Sequence, residues 1–588
     1  MLLFFLQLFL PQLFLLRRKK SPFFTPAAPI ILYMKIMSFS PFGYEGALVT
    51  VEVDLRRGIP AVDMVGLADN AVRESRERMR AAIRNSGFEF PVERVLISLS
   101  PADVKKEGAG FDLAIALAVL HKNEHPEYGS AKDAALIMGE LELSGRIRAV
   151  RGVHAALSTA REYGIRKCII PAENAAEADA FAAMNVFPVR FLTDAFELFS
   201  TLAAESEQKN ANGSTDCTLG EASDVGINAG ARNRAAEFLA ARSNTRASIK
   251  DEPVVFSDFP AQLDYREISG QGFFIEALQI AAAGRHNLIA YGPPGCGKTL
   301  ALSRFYTLLP RLTREEALTV TRIYSIAGLL TSGTRILQDP PFRMPHQSST
   351  AEGIIGGGIH CRPGEISLAH NGVLFLDEAA DFRISVLQAL RVPLEEGKIT
   401  LSRAGRSTDY PARFQLLLAA NPCPCGNFGS TDKICLCRPQ AVEQYWRRFS
   451  APLLDRIDIR VALIGSGEAT KTQQDGAHCF FSDKQRLSTA QLRQAIADAT
   501  AIQRKRQGKP NARLDAAEIR QFCPLGEEAE RFLTNSARRF AFSARGIHSC
   551  IKLARTCADT EKSARIQKHH MEKAVLLHRN AGGIHMMF

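Results

Sequence analysis

The stretch NLIAYGPPGCGKTL, residues 287–300, carries the strongest structural signal in this 588-residue chain. Residues 287–290 read as the end of an apolar strand. Gly292, Pro293, Pro294, Gly295, Cys296, Gly297, Lys298 and Thr299 follow, and helical pattern begins at Leu300. This is G-x-x-x-x-G-K-[ST] in its strand–loop–helix setting. Glycines there let backbone N–H groups turn inward and cradle phosphate oxygens at a helix start. Lys298 is placed to reach the β- and γ-phosphates, and the Thr299 hydroxyl to ligate Mg²⁺. A chance glycine-rich turn would not come with both flanking elements.

Further along, residues 372–378 (GVLFLDE) form a second apolar strand ending in two carboxylates. A buried strand has no structural use for two terminal acids. Asp377 is expected to bind Mg²⁺ and Glu378 to polarise the attacking water. Residues 415–421 (QLLLAAN) read as a third apolar strand, and the Asn421 amide can hold the same water. Residues 450–458 (SAPLLDRID) set Arg456 between acids at a helix–strand junction, and Arg545 opens a helix after Ser543. The fold class is therefore α/β and multidomain, built around a nucleotide-binding domain.

The remaining chain is ordinary in composition, with 46% hydrophobic and 23% charged residues. That excludes a disordered, collagenous or polytopic membrane protein. Charge is uneven: residues 485–588 hold 19 Lys/Arg against 9 Asp/Glu, a net +10 of the total +11. Such a basic segment suits a polyanion, nucleic acid first, and equally a solvated helical surface. Residues 1–36 combine a 16-residue apolar run broken by Pro11 with Arg17, Arg18, Lys19 and Lys20. The run is short for a bilayer span, and its charges follow rather than precede it, unlike a secretory signal. The working protein is expected to begin near Met34 or Met37, in the cytoplasm and without stable membrane association. Periodicity divides the rest into an α+β domain (37–203), a polar linker (204–254), the nucleotide-binding core (255–484) and a basic helical end (485–588).

The order of phosphate loop, Asp-Glu strand, Asn strand, LLDRID and Ser-Ala-Arg resembles the AAA+ ATPases. The segments PFRMPHQSSTAEGIIGGGIHCRPGEISLAHNGVLFLDE (341–378), NPCPCG (421–426) and VEVDLRRGIPAVDMVGLADNAVRESRERMRAAI (51–83) are similar to the magnesium-chelatase-like branch, of ComM/YifB type. The resemblance covers about 37–588 outside the linker. It implies ATP and Mg²⁺ as cofactors, Asn421 as sensor 1, Arg456 as an arginine finger entering a neighbour's site, and Arg545 as sensor 2 on a helical lid. Those roles imply a homo-oligomeric ring of six. The first domain resembles the Lon-protease fold. Its loop 105–112 (KKEGAGFD) has no Ser and its segment 152–160 (GVHAALSTA) no Lys, so proteolysis lacks both nucleophile and base.

Cys423, Cys425, Cys435 and Cys437 form C-x-C-x9-C-x-C, which could close a tetrahedral zinc site or pack as reduced thiols. Residues 399–414 read as a hairpin with Arg403 and Arg406 near its tip, and glycine-rich 353–358 lies in the preceding insert. Both suit backbone contact with single-stranded or branched DNA, and the hairpin arginines suit a solvated turn equally. The expected function is an ATP-driven DNA motor for branch migration or remodelling in recombination or transformation. The alternatives are a chelatase motor subunit or protein-remodelling ATPase, with proteolysis disfavoured.

Overall fold

The computed structural model describes residues 34–66, 70–102, 106, 108–124, 133–211, 253–268, 271–331, 333–358, 361–403, 406–428, 433–463 and 487–579. The expectation for residues 1–33 lies outside these, as does most of the linker and the boundary at 484/485. The first domain's leading strand, Lys35–Ser40, starts before the expected boundary at 37, and Met34 and Ile36 are buried in its core. At the other end, helix Leu192–Ala211 runs past 203.

Seven strands make the first domain's sheet, in the order Val62–Val65, Arg94–Ser100, Ala47–Arg56, Lys35–Ser40, Ala134–Ile137, Lys167–Pro171 and Asn185–Val189. The half from Lys35–Ser40 to Asn185–Val189 is parallel, whereas Ala47–Arg56 pairs antiparallel with both its neighbours. Ala47–Arg56 alternates buried and exposed side chains from Val51 onward, as a sheet with one wet face should. Helix Asp112–Glu124 (DLAIALAVLHKNE) is buried along nearly its whole length, which explains its continuous apolar run. Its first residue, Asp112, is fully buried and paired with Arg78 at 2.9 Å. Burial nevertheless holds the Asp112 carboxyl above its usual range, against the pull of Arg78.

The second sheet has five strands, in the order Phe342–Arg343, Val373–Leu376, Gln415–Ala420, Leu288–Tyr291 and Ile459–Ala462, all parallel. Val373–Leu376, Gln415–Ala420 and Leu288–Tyr291 are buried at every position, as central parallel strands require. The chain is thus a mixed α/β protein with a helical C-terminal region. Helices Thr489–Gln507, Glu527–Arg539, Ala544–Thr560 and Lys568–Arg579 make up much of the expected helical end. Their apolar faces share one core with helix Gly272–Gly284 and the sheet: Leu492, Ile496, Leu553 and Ala554 pack with Leu278, Leu288 and Val373.

Polar contacts tie the parts together. Arg322, on helix Arg314–Ala327, donates to the Tyr44 and Glu45 carbonyls and lies over the Tyr44 ring. Ser325 donates to the buried Glu177 carboxylate at 2.7 Å. On the C-terminal side, buried Asp458 accepts from Ser549 at 2.6 Å and meets His286 at 3.1 Å.

Candidate active site

The phosphate loop leaves the C-terminal end of Leu288–Tyr291, at the crevice where ligands of open parallel sheets bind. Gly295 (φ 83°) and Gly297 (φ 88°) take left-handed backbone, which a Cβ disfavours, and nothing lies within 4 Å of where either Cβ would be. The following helix is Lys298–Ser303, two residues earlier than its pattern suggested. Lys298 Nζ donates to the carbonyls of Gly292 (2.7 Å) and Pro293 (2.9 Å), with Asn421 Oδ1 at 3.4 Å. Burial lowers the Lys298 pKa, while Cys296, Asp377 and Glu378 oppose that.

The two residues expected to ligate Mg²⁺ stand beside it. Thr299 Oγ1 lies 3.1 Å from Asp377 Oδ1, a hydroxyl and a carboxylate side by side. Hard oxygen donors of this kind suit Mg²⁺, and the open loop with its lysine suits a triphosphate, so the residues fit ATP and Mg²⁺ together. Glu378 is exposed at φ 48°, and its carboxylate makes no hydrogen bond among the described residues. Its own N–H is held by Asp377 Oδ1 at 3.0 Å. Lys298, Thr299, Asp377, Glu378 and Asn421 therefore share the same edge of the sheet.

Arg456 and Arg545 do not join them. Arg456 precedes strand Ile459–Ala462, which runs parallel to Leu288–Tyr291 in the register Leu288↔Ile459, and its carbonyl accepts from Asn287 at 2.9 Å. It stands at the N-terminal edge of the sheet, with strands of about 13 Å between it and its own phosphate loop. Nor do the two acids flanking it in sequence bind it. Its guanidinium meets Glu395, on helix Arg391–Glu396, and Arg545 meets the other oxygen of Glu395 at 2.7 Å. Asp455 instead accepts from Ser543 at 2.8 Å.

This edge forms a cleft of about 1190 Å³, lined by Arg456, Arg545, Glu395, Arg285, Arg413 and Arg513 among others. Burial lowers the Arg513 pKa to about 10, and Arg285 and Arg413 add to it. Sequence reasoning missed Glu395, because no motif marks the carboxylate of VPLEEG as a partner of arginines far along the chain. It also missed Tyr445, whose hydroxyl accepts the Asn421 N–H at 3.2 Å.

The expected hairpin is present: Lys398–Arg403 pairs antiparallel with Arg406–Pro411, placing Arg403 opposite Arg406. Ile399, Leu401 and Tyr410 anchor its base in the core, while Arg403 is exposed. Gly356–Gly357 pairs with Arg362–Pro363 in a two-stranded ribbon of the insert. The four clustered thiols converge, with ligand atoms within 4.8 Å of one another.

Residues 264–471 match the family described as magnesium chelatase, subunit ChlI; residues 51–174 match subunit ChlI of Mg-chelatase, and 486–578 its C-terminal part. The competence protein ComM of Haemophilus influenzae is 35% identical over 542 residues, spanning 92% of this chain and 96% of that protein. The chain belongs to the ComM/YifB group of magnesium-chelatase-like proteins. YifB of Escherichia coli K12 is 36% identical over 536 residues, 91% of this chain and 94% of its own length. Likeness to Lon protease of Clostridioides difficile is partial, 28% over 142 residues, 23% of this chain and 18% of that one. Membership explains why one chain carries a phosphate loop, a paired-acid strand and a helical end, and it implies use of ATP and Mg²⁺. Among the described residues no helix is long and apolar enough to cross a membrane.

Proposed function

We propose that this chain is an ATP-hydrolysing ring motor acting on DNA, a branch-migration or remodelling helicase serving recombination or natural transformation in the cytoplasm. The observation that carries the ring is the position of Arg456, at the sheet edge opposite its own phosphate loop. A guanidinium there has no triphosphate of its own subunit to meet. In a closed ring of six, that edge faces the next subunit's nucleotide.

In this reading Lys298 and the loop N–H groups hold the β- and γ-phosphates. Thr299 and Asp377 hold Mg²⁺, which when bound neutralises phosphate charge. Glu378 takes the proton of the attacking water and Asn421 orients that water. Arg456 and Arg545 come from neighbouring subunits to stabilise charge on the transferring phosphoryl group. The net +10 over residues 485–588 and the exposed Arg403 support a DNA substrate. The name of the ComM relative, a competence protein, supports the setting.

The test is steady-state ATPase of the full chain with and without single-stranded, duplex and branched DNA. Stimulation of several-fold by at least one of them is expected. No stimulation by any would move the reading to a chelatase-type or protein-remodelling motor.

A further inference from the structure

Cys423 belongs to the core beside the five-stranded sheet, and Cys435 and Cys437 pack against that core, while Cys425 is exposed. Cys423 is fully buried at the end of the Asn421 turn, but Ile434 and Leu436, flanking Cys435, are 84% and 88% exposed. Along Ile434-Cys435-Leu436-Cys437 the thiols turn inward and the large apolar side chains face water. Hydrophobic collapse would produce the reverse. The sulfurs converge instead: Cys423 to Cys425 is 3.3 Å, Cys423 to Cys435 3.7 Å and Cys425 to Cys435 3.6 Å. A tetrahedron with Zn–S bonds of about 2.3 Å has edges of about 3.8 Å. No pair is at disulfide distance, and all four are free thiols.

A backbone donor adds to the pattern. The Phe428 N–H donates to Cys423 Sγ at 3.3 Å. An N–H···S bond of this kind orients a metal-bound thiolate and offsets its charge. Lys433 and Arg438 bracket the second pair, opposite in sign to the net −2 of four thiolates around a divalent ion.

The segment also touches the nucleotide site. Cys423 is two residues beyond Asn421, and the Pro422 carbonyl accepts from Trp446 Nε1 at 3.0 Å. Gly426 (φ 78°) packs so closely on the phosphate loop that a Cβ there would lie 2.8 Å from Pro294. We propose that Cys423, Cys425, Cys435 and Cys437 bind one structural zinc-class divalent ion, which fixes the Asn421 turn against the phosphate loop. A closed set of four thiolates leaves no open position for a substrate, so the ion's work is architectural. The proposal does not depend on DNA being the substrate.

The test uses the full chain purified with reductant and without chelator. Elemental analysis should find about one zinc per chain. Titration of the thiols with an organomercurial should release it into a metallochromic dye, and Co²⁺ exchanged into the site should show the visible bands of tetrahedral thiolate. Cys425→Ser with Cys437→Ser should lose at least nine-tenths of the metal, while Cys437→His, which keeps a ligand, should retain it. Because the serine variant can misfold, the mercurial release from unmodified protein stands as the independent measurement. After metal release and desalting, ATP affinity should fall about tenfold. Folded protein holding less than one-tenth of an ion per chain and taking up no Co²⁺, or bearing disulfides among these four cysteines, would overturn the site. Unchanged ATP affinity of the metal-free chain would overturn its link to the phosphate loop.

Discussion

Glu378 adopts a left-handed backbone, uncommon for a residue with a Cβ, at the end of the buried strand Val373–Leu376. The turn aims its carboxylate out of the sheet into the crevice, free of partners among the described residues, while Asp377 is held by Thr299. In the proposed reading one acid is tied to the cation site and the other is left to accept a proton. Glu378→Gln keeps the shape and removes the base. It should bind ATP with nearly unchanged affinity and lower kcat by about 10²–10⁴, the range of a general base. Nucleotide titration alongside turnover checks this, and hydrolysis at the unmodified rate would remove Glu378 from its role. Both carboxylates were legible in the sequence, because two acids ending an apolar strand have no packing purpose. Glu395 was not, because its meaning depends on two arginines 61 and 150 residues away.

At the scale of elements, the hairpin Lys398–Pro411 separates a fixed base from an exposed end. Tyr410 is buried and its hydroxyl donates to the Cys361 carbonyl at 3.0 Å, while Asp409 takes Lys398 and Thr400 on the outer face. Arg403 and Arg406 stand opposite each other beyond that base. The double change Arg403→Ala with Arg406→Ala should leave DNA-independent ATPase intact and abolish most stimulation by DNA. The salt dependence of single-strand binding should weaken by about one unit in log–log slope or more. An unaltered slope in a filter-binding or anisotropy series would leave the hairpin a solvated turn.

At the scale of the whole molecule, the ring reading rests on two sheet edges facing different partners. Arg456→Ala keeps its phosphate loop and Glu378; Glu378→Gln keeps its arginines. Each should be nearly inactive alone, since an arginine finger contributes about 10³–10⁵ in rate. Mixed, they should regain part of the ATPase activity, because some interfaces then carry both intact groups. Mixed assemblies that form and stay inactive would return Arg456 to a structural ion pair with Glu395.

The junctions between domains also predict a pH response. Buried His154 of the first domain is pushed down to about 3 by desolvation and then by Arg322 of the ATPase domain. His370 is pushed down to about 3 by desolvation and then by Arg513 of the C-terminal region and Arg413. With folded pKa values below the unfolded 6.5, the unfolded chain binds more protons as pH falls. The stability these groups contribute is therefore full above about 6.5 and lost from there toward 3. Each should cost about 1.4 kcal/mol per pH unit below 6.5. Melting temperature should drop between pH 7 and 5, where carboxylates of ordinary pKa remain ionised, and His154→Leu should flatten that slope.

The sequence by itself determined the nucleotide-binding core, its three central strands, the side chains at its phosphate edge and the helical end. These are local signals: a strand, a loop and a helix start within a few residues, with apolar periods that report burial directly. Tertiary structure alone decided the rest. The sheet order, with Leu288–Tyr291 between Gln415–Ala420 and Ile459–Ala462, sets Arg456 opposite its own loop. The packing of helix Ala544–Thr560 on the core brings Arg545 to Glu395, and that of Arg314–Ala327 on the first domain buries Arg322. Such pairings join residues tens to hundreds of positions apart, and they form only because apolar faces with no fixed partner in the sequence find one another in the fold.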